Sequence, residues 1–412
     1  MFQPSILIAA PPLTFEDCLK EATEHNLDLQ TAQRALKAAE DSHIASIGQF
    51  FPQISFSASM NRSGYGGAND ALNGPSYSQN SSLSLNAQQD IFSGFKDFAA
   101  VDQANAQLDL AKAQLTQAKA QLSHDLKTDF YQLLYSQKLI DMLKTIADRQ
   151  KANMDLVEMN FEGGTDNKGS YLQAQAAYQE ALFEVDQAQR GLRVAQKQLD
   201  QVLGRGPMED IEVTGDFTVS KLPDTMPDFL ALTPQTPAYQ EALAQLHLSE
   251  SGYVTARSVF FPTLSANATL SRGGLNFIDN QPGWSAGLQL SLPLFTGGKD
   301  IFDLRSAEET KQGAKDTFQS TGLKTESNLE SAYAAFSDAL EQMQVLESQL
   351  TAAQVQEEIA KAEYLNGLMI FVNWNQIENQ LTSQEKAELS GLLSEKTAEA
   401  NWELTQGKGV IP

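Results

Sequence analysis

The sequence predicts a mainly α-helical chain that also carries strands of a membrane β-barrel, laid out as two copies of one helix–strand–strand–helix plan. Three observations predict it. Apolar residues recur at steps of three and four over long stretches, two pairs of segments alternate apolar with small polar residues, and the same landmarks return half a chain later.

The landmarks establish the duplication. FFPQISFSASMNRSG (Phe50 to Gly64) superimposes on FFPTLSANATLSRG (Phe260 to Gly273), with Pro52 on Pro262 and Arg62 on Arg272, a shift of 210 positions. IFSGFKD (Ile91 to Asp97) superimposes on LFTGGKD (Leu294 to Asp300) with a shift of 203, and Gly164 and Gly367 share that shift. The difference falls between the strand segments, where a loop shortens at little cost. A period near 200 residues is too long for a solenoid and fits a duplicated domain.

Each element then has its place. Residues 1–12 (MFQPSILIAAPP) lack the basic first region and apolar length of a full signal peptide, and are expected to be a signal remnant or an unstructured N-terminus. The first repeat covers 13–204, with strands at about 52–64 and 80–91 and a helical hairpin over 97–204. Residues 205–236, rich in Gly and Pro around a short IEVTGDFTV, form a connector. The second repeat covers 237–412, with strands at about 262–272 and 283–294 and a hairpin over 299–406.

Heptad seams carry the hairpins. Val101, Ala104, Leu108, Ala111, Leu115, Ala118 and Leu122 form one, and Tyr171, Ala174, Tyr178, Ala181, Val185, Ala188, Leu192, Ala195, Leu199 and Val202 another. In the second copy Leu329, Ala332, Phe336, Ala339, Met343, Leu346, Leu350 and Ala353 repeat the pattern. So narrow a stripe buries against one partner helix, as in a coiled coil. A helix from Asp97 to Asn160 would be roughly 95 Å long at its 1.5 Å rise.

In the strands, Ile54, Phe56, Ala58 and Met60 share one face, while Ser55, Ser57, Ser59 and Asn61 share the other. Leu264, Ala266, Ala268 and Leu270 oppose Ser265, Asn267, Thr269 and Ser271 in the same way. The return strands carry Leu83 and Leu85 against Ser82 and Ser84, and Trp284, Leu288 and Leu290 against Ser285 and Gln289. Strands of about ten residues suit a tilted bilayer crossing. A half-buried sheet on a soluble core alternates equally well. Against it, the helical seams are engaged with one another and leave little to cover four apolar strand faces. Open strand edges in lipid need partners, so the barrel reading requires a symmetric oligomer that pools its strands. The joining loops, Gly64 to Pro75 and Gly273 to Gly283, have the Gly, Asn and Pro content of exposed loops.

Composition narrows the function. The net charge is −23, which disfavours nucleic acid and anionic surfaces as partners. No run of 18 apolar residues exists, so a spanning helix is not expected. Cys18 is the sole cysteine, in a TFEDC context unlike that of a lipoprotein, and is expected to be inert. His25, His43, His124 and His247 lack metal-ligand spacing, and no P-loop, GxSxG or HExxH occurs. No enzyme, metal or cofactor reading has residues to rest on.

The duplicated plan, the FFP entering each first strand, LFTGGK leaving a second strand and the opening helix LTFEDCLKEATEHNLDLQ (Leu13 to Gln30) resemble the TolC-type outer-membrane efflux family over nearly the whole chain. The resemblance implies a homotrimer whose protomers pool strands into one twelve-stranded barrel in outer-membrane lipid, continued by a long α-helical tunnel in the periplasm. It implies a passive exit duct, without catalytic residues or cofactor, for an efflux pump or type I secretion system. The partners would be a periplasmic adaptor and an inner-membrane transporter, with no nucleic acid. Ser55, Ser57, Ser265 and Asn267 would face the lumen.

The two hairpin tips, FEGGTDNKGSYLQAQ (Phe161 to Gln175) and YLNGLMIFVNWNQIENQ (Tyr364 to Gln380), would be the functional ends. Gly164, Thr165, Gly367 and Leu368 would dock the adaptor, and Tyr364, Asn373, Gln376 and Asp166 would constrict the entrance. The family's type member has acidic rings and an Arg-centred polar network near its second tip. Aligned on Gly367, the acidic positions fall on Asn373 and Gln376 and the arginine on Met369, while Tyr364 keeps its tyrosine. Amides narrow a pore without fixed charge, which leaves Asp166 and Lys168 to supply polar contacts, or Asp166 and Asn167 simply to form a turn. The alternative reading is a soluble periplasmic coiled-coil spacer with no channel.

Overall fold

Long seams give long helices. The computed structural model describes residues 12–65, 76–206, 210–222, 225–275 and 281–411. The chain runs α1 (Phe15–His25), α2 (Leu27–Ile47), β1 (Gln53–Tyr65), β2 (Ser76–Phe92), α3 (Lys96–Glu162), α4 (Lys168–Leu203), a short α5 (Phe229–Leu232), α6 (Pro237–Ser258), β3 (Thr263–Gly274), β4 (Gln281–Ser291), α7 (Lys299–Leu365) and α8 (Phe371–Thr405). Helices α3 and α7 have 67 residues each. The expected signal remnant, apart from residue 12, and residues 66–75 and 276–280 of the two strand-joining loops lie outside the described residues. No helix among the described residues is long and apolar enough to cross a membrane.

Two compact units divide the chain, one of Met1–Gln33, Ala113–Tyr239 and Gly322–Pro412, the other of Arg34–Lys112 and Gln240–Thr321. The first is helical. Its α4 seam is buried or half-buried at every position from Tyr171 to Val202 named above, and so is the α7 seam from Leu329 to Ala353. Leu126, Phe130, Leu133, Leu199 and Leu203 pack with Cys18, Ala22 and Leu29 in its largest apolar cluster. There burial, with Glu21 nearby, pushes the Cys18 thiol up to about 12, so it stays protonated.

Local signals set the boundaries of these helices. Thr14 begins α1 with a capping box: its Oγ1 accepts from the Asp17 N–H at 3.2 Å, and Asp17 Oδ2 accepts from the Thr14 N–H at 3.1 Å. Asn26 separates α1 from α2, its Nδ2 donating to the Val202 carbonyl at 3.0 Å and its Oδ1 accepting from the Leu29 N–H at 2.9 Å. Gly204 ends α4 at φ 72°, where a Cβ would run into the His25 carbonyl. Among its described residues the connector makes no sheet. Val213 forms one isolated bridge with Leu13, and the Gln137 amide bonds both the N–H (3.0 Å) and the carbonyl (3.1 Å) of Val213.

The second unit holds an antiparallel sheet of order β1–β2–β3–β4. Over its central rows the register stacks like on like. Phe56, Leu85, Leu270 and Trp284 form one row, and Ile54, Ala87, Ala268 and Ala286 another. Between them Ser55, Asn86, Thr269 and Ser285 lie in line, and beyond the Ile54 row so do Gln53, Gln88, Asn267 and Gly287. Hydroxyls link the polar rows: Ser57 to Ser84 at 2.7 Å, Ser59 to Ser82 at 2.8 Å, and Thr269 Oγ1 donating to Asn86 Oδ1 at 3.0 Å. The strand β2 begins at Ser76, earlier than alternation suggested. The strand β4 ends at Ser291 instead of near 294, because Pro293 has no N–H for a ladder.

Candidate functional site at the helix tips

The tips joining α3 to α4 and α7 to α8 are built by the same chemistry. At the first, Gly164 sits at φ 77° and donates to the Phe161 carbonyl at 3.0 Å, while the Thr165 and Asp166 N–H groups reach the Asn160 carbonyl at 2.9 and 3.1 Å. At the second, Gly367 sits at φ 72° and donates to the Tyr364 carbonyl at 3.0 Å, with the Leu368 N–H on the Glu363 carbonyl at 2.9 Å. These bonds satisfy the last carbonyls of α3 and α7. A Cβ at either glycine would meet nothing, so the left-handed backbone, and not space, selects glycine there.

The tips meet through Tyr364. Its phenol donates to Asp166 Oδ2 at 2.9 Å and accepts from Asn160 Nδ2 at 3.1 Å. Burial, and then the bond and charge of Asp166, push Tyr364 up to about 12 against the opposing effect of Asn160, so it remains a donor. Asp166 also makes the turn, its Oδ1 accepting from the Asn167 N–H at 2.8 Å, and Asn167 caps α4 by accepting from the Ser170 N–H at 3.1 Å. Asp166 therefore both contacts Tyr364 and makes the turn. Beneath the ring, Trp374 stacks on Tyr364 at 4.6 Å and Phe371 packs edge-on at 6.3 Å, in a cluster with Val157, Ala174 and Ala360.

The other expected site residues are on the surface. Asn373 and Gln376, one turn apart on α8, are exposed, as are Gly164, Thr165 and Gly367, and Leu368 is 79% exposed. Met369, expected from the alignment at the type member's arginine position, is half-buried against the aromatic cluster. In the sheet Ser55, Ser57 and Asn267 are exposed and Ser265 is half-buried, all within its polar rows.

Sequence reasoning missed the arginine behind these tips. Arg149 of α3 donates through Nε to Glu378 Oε1 at 2.5 Å and through both terminal nitrogens to Glu385 at 2.9 and 2.7 Å. It also donates to Thr382 Oγ1 at 3.1 Å. Glu378 is 1% exposed. No local pattern links Arg149 with a carboxylate 229 positions away. The only available signal was Glu at i and i+7 on α8, which places Glu378 and Glu385 on one helix face. Among the described residues no group of His, Cys, Asp and Glu could hold a metal ion.

The profile of the outer membrane efflux protein family matches residues 18–205 and 232–406. The chain is 24% identical over 405 residues to the probable outer membrane lipoprotein SilC of Salmonella typhimurium, covering 95% of this chain and 85% of that protein. It is 24% identical over 346 residues to the cation efflux system protein CusC of Escherichia coli O6:H1, covering 82% and 72%. The crystal structure of the Campylobacter jejuni CmeC outer membrane channel superposes with a TM-score of 0.85 at 18% identity, over 96% of this chain and 86% of that one.

Proposed function

This chain belongs to the outer membrane efflux protein family, and from that premise we propose that it is a passive exit duct of the outer membrane, handing material from a periplasmic adaptor and an inner-membrane transporter to the outside. The sheet carries the reading. Its apolar rows are open to solvent in the single chain, with Phe56 70%, Trp284 79% and Leu288 71% exposed. An apolar sheet face left bare would drive aggregation in a water-soluble protein and is the face required against lipid. A soluble spacer has no use for it.

Completion of the barrel requires more chain than one protomer holds. The repeats 13–204 and 237–412 each supply a strand pair, and three copies close twelve strands with no edge exposed to lipid. The polar rows with Ser55, Ser57, Ser265 and Asn267 line a wet lumen that imposes little chemical selection, so specificity lies with the transporter. Small molecules and secreted polypeptide are equally compatible with such a lumen.

At the helix tips, Tyr364 and Asp166 hold the two turns together and Asn373 and Gln376 line the constriction. Gly164, Thr165, Gly367 and Leu368 dock the adaptor. Planar-bilayer recording from the purified protein tests the duct directly. Discrete conductance steps are expected, larger in Asn373→Gly and Gln376→Gly than in the parent. Absence of conductance under every condition would sink the duct, and unchanged steps in well-folded variants would sink the constriction.

A further inference from the structure

A buried carboxylate oxygen behind the second tip lacks a donor. Glu378 Oε1 receives Arg149 at 2.5 Å and Gln150 Nε2 at 3.4 Å, yet its Oε2 is sealed from solvent with no hydrogen-bond partner. An ionised oxygen in that position is costly. Its neighbour across the helix interface is another carboxylate, Glu357 of α7. Burial first, and then the charge and closeness of the Glu357 carboxyl, hold Glu378 above the usual carboxylate range despite Arg149. The charged groups acting on Glu378 are thus Arg149 from α3, Glu357 from α7 and, through Arg149, Glu385 on its own helix. A metal ion is a poor third partner, because Arg149 already supplies positive charge there.

The pair is joined to the tip by contact. Glu357 Oε1 accepts from Trp374 Nε1 at 3.5 Å, Trp374 stacks on Tyr364, and Tyr364 holds Asp166 of the first tip. We propose that Glu357 and Glu378 share one proton and act as a pH-sensitive latch: the bridged pair ties α7 to α8 and seats Trp374 under Tyr364, whereas loss of the proton sets two carboxylates against each other and loosens the tip. The proton is taken from solvent while the tip is loose and is held between Glu378 Oε2 and the Glu357 carboxylate once it closes, so no other reactant is needed.

The sign follows from linkage. A carboxyl raised in the folded state keeps a proton that the unfolded chain has released. Its stabilisation is complete below the ordinary glutamate value and is lost as pH rises through the raised one. The full-length protein, its Glu357→Gln variant and its Glu378→Gln variant are to be compared by thermal unfolding in detergent from acidic to neutral pH. The parent should lose stability as pH rises. Both variants, whose amide N–H supplies the bridge at every pH, should lose less, and profiles parallel to the parent's would overturn the latch. Bilayer recording then reads the tip, and only this arm rests on the duct reading. Parent opening should rise with pH by up to about tenfold per unit, the limit for one proton, and be flat in Glu357→Gln. A pH-independent parent opening would overturn the link to the tip. A parent with no conductance at any pH fails the duct, and the unfolding comparison still decides the latch.

Discussion

Two glutamates on α8 lie beside cations, Glu378 buried and Glu399 half-buried, and their carboxyls shift oppositely. Glu378 is raised and Glu399 is lowered. Burial pushes both up, and the neighbours decide the outcome. Around Glu399, the Ser220 hydroxyl donates at 2.7 Å and Lys396 Nζ at 3.0 Å, with Lys127 Nζ 3.8 Å away, and together they outweigh burial. Around Glu378, Arg149 divides itself between two carboxylates while Glu357 adds like charge. Donor supply and depth together set the direction in which such an acid shifts. The two clusters also hold different things. Ser220 fastens the connector to α8, its N–H reaching the buried Glu395 at 3.2 Å, whereas Arg149 fastens α3 to α8 behind the tips.

The contrast can be broken at its cations. Lys396→Met strands Glu395 and Glu399 and should cost about 3–5 kcal/mol, read by denaturant unfolding at neutral pH. Arg149→Met should cost less, about 3 kcal/mol, because Glu378 can escape by taking a proton. Its penalty should shrink as pH is lowered, and a pH-independent penalty would contradict the contrast. Glu399→Gln should cost about 1–2 kcal/mol at neutral pH and sharpen the comparison from the acid side. A lowered carboxyl stabilises above the ordinary glutamate value and loses that stabilisation as pH falls through its folded value, so the variant should flatten the acid arm of the stability profile. Smallest is Tyr364→Phe, which removes the Asp166 and Asn160 bonds for about 1 kcal/mol. Its signature is faster amide hydrogen exchange at Thr165 and Asp166, with exchange elsewhere unchanged.

Elements written in a repeating pattern were legible. The seam from Tyr171 to Val202 reads as a helix stripe and lies buried or half-buried throughout. The alternation from Ile54 to Met60 reads as a strand and is part of β1. The glycines that turn the tips, Gly164 and Gly367, stood out by their common shift, and both have the positive φ that glycine tolerates. Tyr364 and Asp166 were named from sequence, but the 2.9 Å bond between them was not, because it joins residues 198 positions apart. Arg149, Asn160 and Trp374 were not singled out, since a lone arginine, asparagine or tryptophan in a long helix has no period to mark it.

Sequence by itself therefore determined the helices, the strands, their faces and the family, because side-chain period and backbone propensity act over a few residues and leave their record in local order. Only the tertiary structure decided which acid meets which base. Burial, donor count and like-charge neighbours are set by helices packed from opposite ends of the chain. Those three quantities separate Glu378, held above the usual carboxylate range, from Glu399 on the same helix, held below it.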